Sequence, residues 1–309
     1  MTTLLERYRG CLLGLACGDA VGTTVEFSPR GSFAPVTDMT GGGPFDLPPG
    51  AWTDDCAMAL CLAHSLLHRQ GFDATDQMNR YCNWASYGYM SSTGACFDIG
   101  VTVAQALQRY RASGDPYSGS SDPRTAGNGA LMRLAPIPMF YFEQADALLH
   151  HAAASARTTH GAEEVIESTR LFATQLHMAL QGAGKDDILF AHGYRALAPK
   201  VQAIAAGDWR DKPREAIRGS GYVIESLEAA LWCFLHGHDF ASTVLLAANL
   251  GDDADTTAAI CGQLAGAHYG VASIPPHWLH TLVQADEIGD LADRLHDERA
   301  PALAGEAQP

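Results

Sequence analysis

Basic side chains are scarce in this chain: 20 Lys and Arg stand against 35 Asp and Glu, a formal charge of −15. No basic stripe is available to meet a run of phosphates, which argues against nucleic acid as a partner. No uninterrupted apolar run is long enough to cross a bilayer, although apolar residues make up 47% of the chain. The polar stretch Met1 to Arg9 lacks a signal-peptide pattern. No CxxC pair occurs among the eight cysteines (Cys11, Cys17, Cys56, Cys61, Cys82, Cys96, Cys233, Cys261), all of which lie in apolar helical patterns. They read as small buried hydrophobes in a reducing cytoplasm, not as disulfides or a zinc site. Strand-like alternation is missing too, leaving room for at most one short hairpin in the loops.

What is present is helical spacing. Apolar residues recur at i, i+3, i+4 from Leu5 to Leu15, Met58 to Leu67, Val101 to Tyr110, Val165 to Leu180, Val223 to Leu235, Ser242 to Leu250 and Thr256 to His268. Small residues crowd some of these stretches (Ala57, Ala59, Ala63; Ala258, Ala259, Gly262, Ala265, Gly266), which lets helices approach closely in the middle of a bundle. At 309 residues the chain buries roughly 75% of its unfolded surface without staples. With no repeat and no shift in composition, an all-α single domain over residues 1–300 is expected, followed by a disordered tail, 301–309. No exposed apolar stripe demands a partner, so a monomer is expected. Two long loops, 28–51 and 113–126, each lead into a candidate motif, as loops that shape a binding site do.

Two acidic clusters stand almost two hundred residues apart, Thr53-Asp54-Asp55 and Asp253-Ala254-Asp255-Thr256, each opening an apolar helical stretch. Singly, each reads as a helix cap. A cap needs only one acid, however, and adjacent acids repel. Two overloaded caps offer an all-oxygen ligand set suited to a pair of hard cations such as Mg²⁺ or Mn²⁺. Such cations also supply the positive field that an anionic ligand needs in so acidic a protein.

Other segments are weaker alone. Gly127-Asn128-Gly129 stands ahead of the apolar stretch Ala130 to Leu134, where glycines let free N–H groups approach an anion or simply make a turn. Gly14 to Gly22 is glycine-rich and delivers Glu26 into a loop. Asp98 sits at an expected helix start, where a cap is the default reading. His160 reads as capping or buried, and Tyr222 as a packing residue or a base-stacking one. His238-Asp239 offers the doublet of an HD-type phosphohydrolase, though Gly237 and Phe240 favour an inter-helix turn.

Taken together, GLACGDAVGTTVEF (14–27), GAWTDDCAMAL (50–60), FDIG (97–100), GNGALMRLAPI (127–137), TH (159–160), SGYV with AALW (220–232) and GDDADTTAAICGQLAGAHYG (251–270) resemble the ADP-ribosylglycohydrolase family, over nearly the whole chain. The resemblance implies an orthogonal helical bundle with a dinuclear Mg²⁺ or Mn²⁺ cleft. Thr53, Asp54, Asp55, Asp253, Asp255 and Thr256 match its metal ligands. Glu26, Asp98 and Asp55 match its catalytic carboxylates. Gly127, Asn128 and Gly129 match a phosphate turn, with Met132 beside it; His160 matches a ribose contact and Tyr222 an adenine stack. Departures are Cys56 where Thr or Ser is common, Ala130 for a frequent Ser, and the extra acid Asp252; none removes a ligand. The implied reaction is hydrolysis at C1″ of an ADP-ribosylated protein or small ADP-ribose conjugate, with arginine as the acceptor. Serine, a nucleotide base or an O-acetyl group are alternative acceptors, and a non-catalytic ADP-ribose binder is a further one.

Overall fold

Glycines 10, 14, 18 and 22 recur at every fourth position and therefore share one face of the first helix. In the computed structural model, which describes residues 2–302, that helix is α1 (Leu4–Gly22). It starts at Thr3, whose hydroxyl accepts the Glu6 N–H while the Glu6 carboxylate accepts the Thr3 N–H, a reciprocal cap. Thirteen further helices follow: α2 (Asp54–Arg69), α3 (Ala74–Tyr87), α4 (Val101–Ser113), α5 (Pro136–Phe140), α6 (Ala145–Arg157), α7 (Glu163–Leu180), α8 (Lys185–Phe190), α9 (Pro199–Ala206), α10 (Val223–His236), α11 (Phe240–Ala248), α12 (Ala254–Tyr269), α13 (Pro276–Thr281) and α14 (Ala285–Asp297). The fold is all-α, and among the described residues β-pairing is limited to three isolated bridges. One of them, the antiparallel bridge of Gly42 with Leu47, lies in the first long loop, and the loops had room for one short hairpin.

Seven helices (α1, α2, α4, α7, α10, α11 and α12) fall where apolar spacing placed them, and seven others were not expected. Of the tail expected to be disordered, Pro301 and Ala302 are exposed and irregular, and 303–309 lie outside the described residues.

The centre of the bundle is the antiparallel contact of α1 with α12. A Cβ added at Gly10, Gly14, Gly18 or Gly22 would lie 2.2, 2.4, 2.2 or 2.4 Å from the carbonyl oxygens of Gly266, Gly262, Ala258 and Ala254 respectively. Backbone therefore touches backbone along four turns. Each glycine gives up about 1 kcal/mol of helix propensity relative to alanine, and close packing of the two buried helices offsets that loss. The register matters for function because it carries Asp19 of α1 alongside Asp255 of α12.

Replacing Gly18 by alanine drives a methyl into the Ala258 carbonyl, so the helices must part. Gly18→Ala is expected to lower the stability in denaturant by ~1–3 kcal/mol and to reduce with it any activity that depends on the placement of Asp19. A variant with wild-type stability and activity would show that the seam tolerates separation.

Candidate active site

The starts of α2 and α12 lie side by side at the head of this seam. Thr53 is the N-cap of α2 and Asp253 that of α12, yet neither side chain makes the capping bond. The α2 start is capped from another helix: Asp19 accepts the N–H groups of Thr53 (2.8 Å) and Cys56 (3.0 Å) and the Thr53 hydroxyl (3.0 Å). Freed from local capping, the clustered side chains reach across. Thr53 Oγ1, whose single hydrogen goes to Asp19, lies 3.3 Å from Asp255 Oδ2, and Thr256 Oγ1 donates to Asp55 Oδ1 at 3.2 Å, so each helix start meets the other's aspartate. Asn128 Nδ2 donates to Asp253 Oδ2 at 2.6 Å and to Ser226 Oγ at 3.1 Å.

Two groups of three carboxylates result, Asp19 with Asp55 and Asp255, and Glu26 with Asp98 and Asp255, each within 4.8 Å. Asp255 belongs to both. Glu26 Oε2, Asp55 Oδ2 and Asp255 Oδ1 are buried with no hydrogen-bond partner among the described residues. Converging orphan oxygens in a closed site are the donor set a hard divalent cation takes. Asp54, Asp253 and Thr256 line the same cleft of about 400 Å³, together with Glu26, Asp98, Gly127, Asn128, Gly129, Met132 and His160. Thr53 and Asp55 lie beneath it. A larger cavity of about 580 Å³ between α2 and α14, beside His64 and Arg294, carries only the exposed acids Glu287 and Asp290. Chemistry, not size, therefore distinguishes the cleft.

Two expectations need correction. Asp98 is not a cap: Gly100 is the N-cap of α4, and Asp98 has a left-handed backbone (φ 57°) that turns its carboxylate into the cluster. Phe27 (φ 59°) and Asp252 (φ 57°) share that conformation nearby, where the Phe27 N–H bonds the Asp252 carbonyl at 2.7 Å. Strained backbone of this kind persists where the surroundings over-determine it. Second, Gly127-Asn128-Gly129 runs into turns, not a helix, and α5 begins only at Pro136. His238-Asp239 lies in the inter-helix turn expected of it: Asp239 caps α11, accepting the Ser242 N–H at 2.7 Å. Tyr222 is not among the residues lining the cleft. Its hydroxyl binds Glu164 and Lys200, and the Lys200 ammonium sits 5.1 Å from the ring centroid.

A profile of the ADP-ribosylglycohydrolase family matches residues 1–304. The chain belongs to the ADP-ribosylglycohydrolase family. It is 46% identical, over 97% of its length and 80% of the relative's, to the ADP-ribosylarginine hydrolase Tri1 of Pseudomonas putida (strain GB-1). With the ADP-ribosyl-[dinitrogen reductase] glycohydrolase of Rhodospirillum rubrum it shares 32% identity over 90% of each chain. A solved structure titled ADP-ribosylglycohydrolase-related protein complex superposes with a TM-score of 0.87 at 45% identity, covering 96% of this chain and 99% of that one. As a member of the family it is a glycosidase-type hydrolase.

Within this family frame, Asp19 is the site residue that sequence reasoning passed over. Its signal was an aspartate inside an otherwise small and apolar helix, a charge that must find partners once buried. Burial pushes its carboxyl up to about 7 against its three hydrogen bonds. Burial, then the charge of Asp98, pushes Glu26 up to about 9. Asp98 is raised to about 6, chiefly by burial. Asp54, Asp55 and Asp255 are raised by burial first and by neighbouring carboxylates second. The glycohydrolase therefore concentrates like charge that protons or cations must neutralise.

Because these groups bind protons more tightly folded than unfolded, their contribution to stability is present at low pH. It is lost as pH rises from 4.5, the ordinary glutamate value, through about 9 for Glu26. A divalent cation replaces the missing protons. The rise in Tm on adding Mn²⁺ is thus expected to grow across that window. A Tm indifferent to Mn²⁺ at every pH contradicts the assignment of these carboxylates.

Proposed function

We propose that the protein removes ADP-ribose from ADP-ribosylated arginine by hydrolysis at the C1″ anomeric carbon. The observation that carries this reading is the intact set of buried, mutually facing carboxylates in a chain so close to a relative named for hydrolysing ADP-ribosylarginine. In the reaction the C1″–N bond breaks, the oxygen of water bonds C1″, and the nitrogen leaves carrying a proton. Positive charge builds on the ribose as the leaving group departs, the pattern of glycoside hydrolysis. Buried anionic oxygens facing the sugar stabilise that charge.

Glu26 is the best-placed proton carrier, with Asp98 beside it and Asp55 below; all three sit where burial moves a carboxyl toward neutrality. Thr53, Asp54, Asp55, Asp253, Asp255 and Thr256 would hold two Mg²⁺ or Mn²⁺ ions. Bound there, the ions supply positive charge that orients sugar oxygens and eases loss of a proton from water. Gly127, Asn128, Gly129, Met132 and His160 form the wall against which the nucleotide would lie. Tyr222, at the edge of that wall, offers adenine a ring only where Lys200 leaves a face open.

The protein is proposed to act as a cytoplasmic monomer on an ADP-ribosylated protein or small conjugate. Its cysteines are all unpaired, and no described helix is long and apolar enough to cross a membrane. Of the exposed large apolar residues, Phe27 and Val101 line the cleft, whereas Tyr87, Tyr117 and Leu197 lie outside it.

A panel of arginine- and serine-linked ADP-ribosyl substrates, run with Mg²⁺, Mn²⁺ or EDTA, tests the proposal. Release of ADP-ribose from arginine, abolished by EDTA, is the expected result; cleavage of the serine linkage alone, or turnover untouched by EDTA, overturns it. Asp54→Ala and Asp253→Ala should each lose about 100-fold or more in kcat/KM. Cation-free Asp54→Ala should be no less stable than the parent, since a repelling carboxylate has gone. Near-parental turnover in either variant rejects the ligand assignment.

A further inference from the structure

Arg133 is buried, 1% exposed, and has no carboxylate partner. A lone guanidinium in a protein interior is costly unless its donors are used. Here one Nη2 proton goes to Thr159 Oγ1 at 2.7 Å, another Nη2 contact reaches the Ser155 carbonyl at 3.3 Å, and the cation lies 4.8 Å from the centre of the Tyr81 ring. Thr159 is itself fully buried, and its hydroxyl has one other partner, His160 Nδ1, at 2.8 Å. On the far side of the imidazole, Nε2 makes no hydrogen bond among the described residues. It lies under the Gly127–Gly129 turn in the wall of the cleft.

The proton positions follow from what each group can do. Arginine only donates, so Thr159 Oγ1 must accept from Arg133 and still place its own hydrogen. His160 Nδ1 is the acceptor within reach. An Nδ1–H tautomer would strand the Thr159 hydrogen in a fully buried site. A doubly protonated ring would strand it as well, and would add a second buried cation close to Arg133. The remaining form carries its proton on Nε2.

We propose that Arg133 and Thr159 are positioning residues that lock His160 as a neutral Nε2–H donor aimed into the cleft, where it takes a lone pair from a sugar or phosphate oxygen of the substrate. The same arrangement gives a second reason for the two glycines. A Cβ at Gly129 would stand 2.7 Å from His160 Cε1, and one at Gly127 would stand 3.3 Å from Nε2, so the turn makes room for the ring. Toward the cleft, His160 in this state only donates. It is neither a general base nor a metal ligand through Nε2, and a substrate group that is itself a donor is rejected there. Burial first, then Arg133, pushes its basicity down to about 3, consistent with a ring that stays neutral.

The substrate contact rests on the glycohydrolase reading, whereas the tautomer does not. Two-bond ¹H–¹⁵N correlation spectra of ¹⁵N-labelled full-length protein report which ring nitrogen carries the proton, and the spectrum of His160→Gln assigns the signal. The expected wild-type pattern has Nε2 protonated and Nδ1 bare, with the Nε2 signal moving when ADP-ribose is added. Thr159→Val should mix the tautomers and reduce kcat/KM for an arginine-linked substrate about 10-fold, the effect of one misplaced hydrogen-bond donor. Thr159→Ser, which keeps the hydroxyl, should restore both the pattern and most of the rate.

A wild-type ring protonated on Nδ1, or on both nitrogens, overturns the proposal, as does a Thr159→Val protein with unchanged spectrum and rate. If Thr159→Val does not fold, the wild-type spectrum decides alone. If arginine-linked substrates are not cleaved at all, the functional reading fails while the tautomer result stands.

Discussion

The close contact between α1 and α12 is the constraint from which the active site follows. Glycine or alanine at every crossing point brings the two backbones together without intervening side chains. At that separation, an aspartate on α1 can cap a third helix, α2, whose own first residues are then left over for chemistry. The cap in trans connects packing with function: Asp19 satisfies the orphan N–H groups of α2, a task that Thr53, Asp54 or Asp55 would otherwise perform. Thr53 and Thr256 then meet the aspartate of the opposite helix start.

This arrangement holds free energy in reserve. Five buried carboxylates (Asp19, Glu26, Asp54, Asp55 and Asp255) and the half-buried Asp98 are all driven toward their protonated forms, chiefly by removal from solvent and then by neighbouring carboxylates. Such a cluster weakens the metal-free fold at neutral pH and makes it a strong acceptor of dications. Stability is sacrificed where affinity for positive charge is wanted, including charge that develops on a sugar during reaction. In a protein with a net charge of −15, cations held there would also lower the barrier to an anionic ligand.

Much of this was legible in the sequence. Long apolar periods marked the helices that carry the site, and the density of acids at two helix starts marked the clusters themselves. Short or polar helices escaped: α8 and α13 have six residues each, too few for a period to register. The same spacing at Ile288, Leu291, Ala292 and Leu295 marks α14, which the expected set omits although the rule covers it. Local reading failed where tertiary structure overrode it. Asp98 lies two residues ahead of its helix cap and is aimed by a left-handed backbone that no local pattern announces. Gly127 and Gly129 reflect the imidazole of a residue some thirty positions away. Asp19 acts on a helix that begins 35 residues later, and only the folded register connects the two.

The central claim is that two remote helix starts form one cation-binding floor. Anomalous diffraction from crystals soaked in Mn²⁺ addresses it most directly. Strong anomalous peaks are expected among Asp54, Asp55, Asp253, Asp255 and Thr256, within reach of Glu26. Featureless density there, with those carboxylates turned toward bulk solvent, would contradict it.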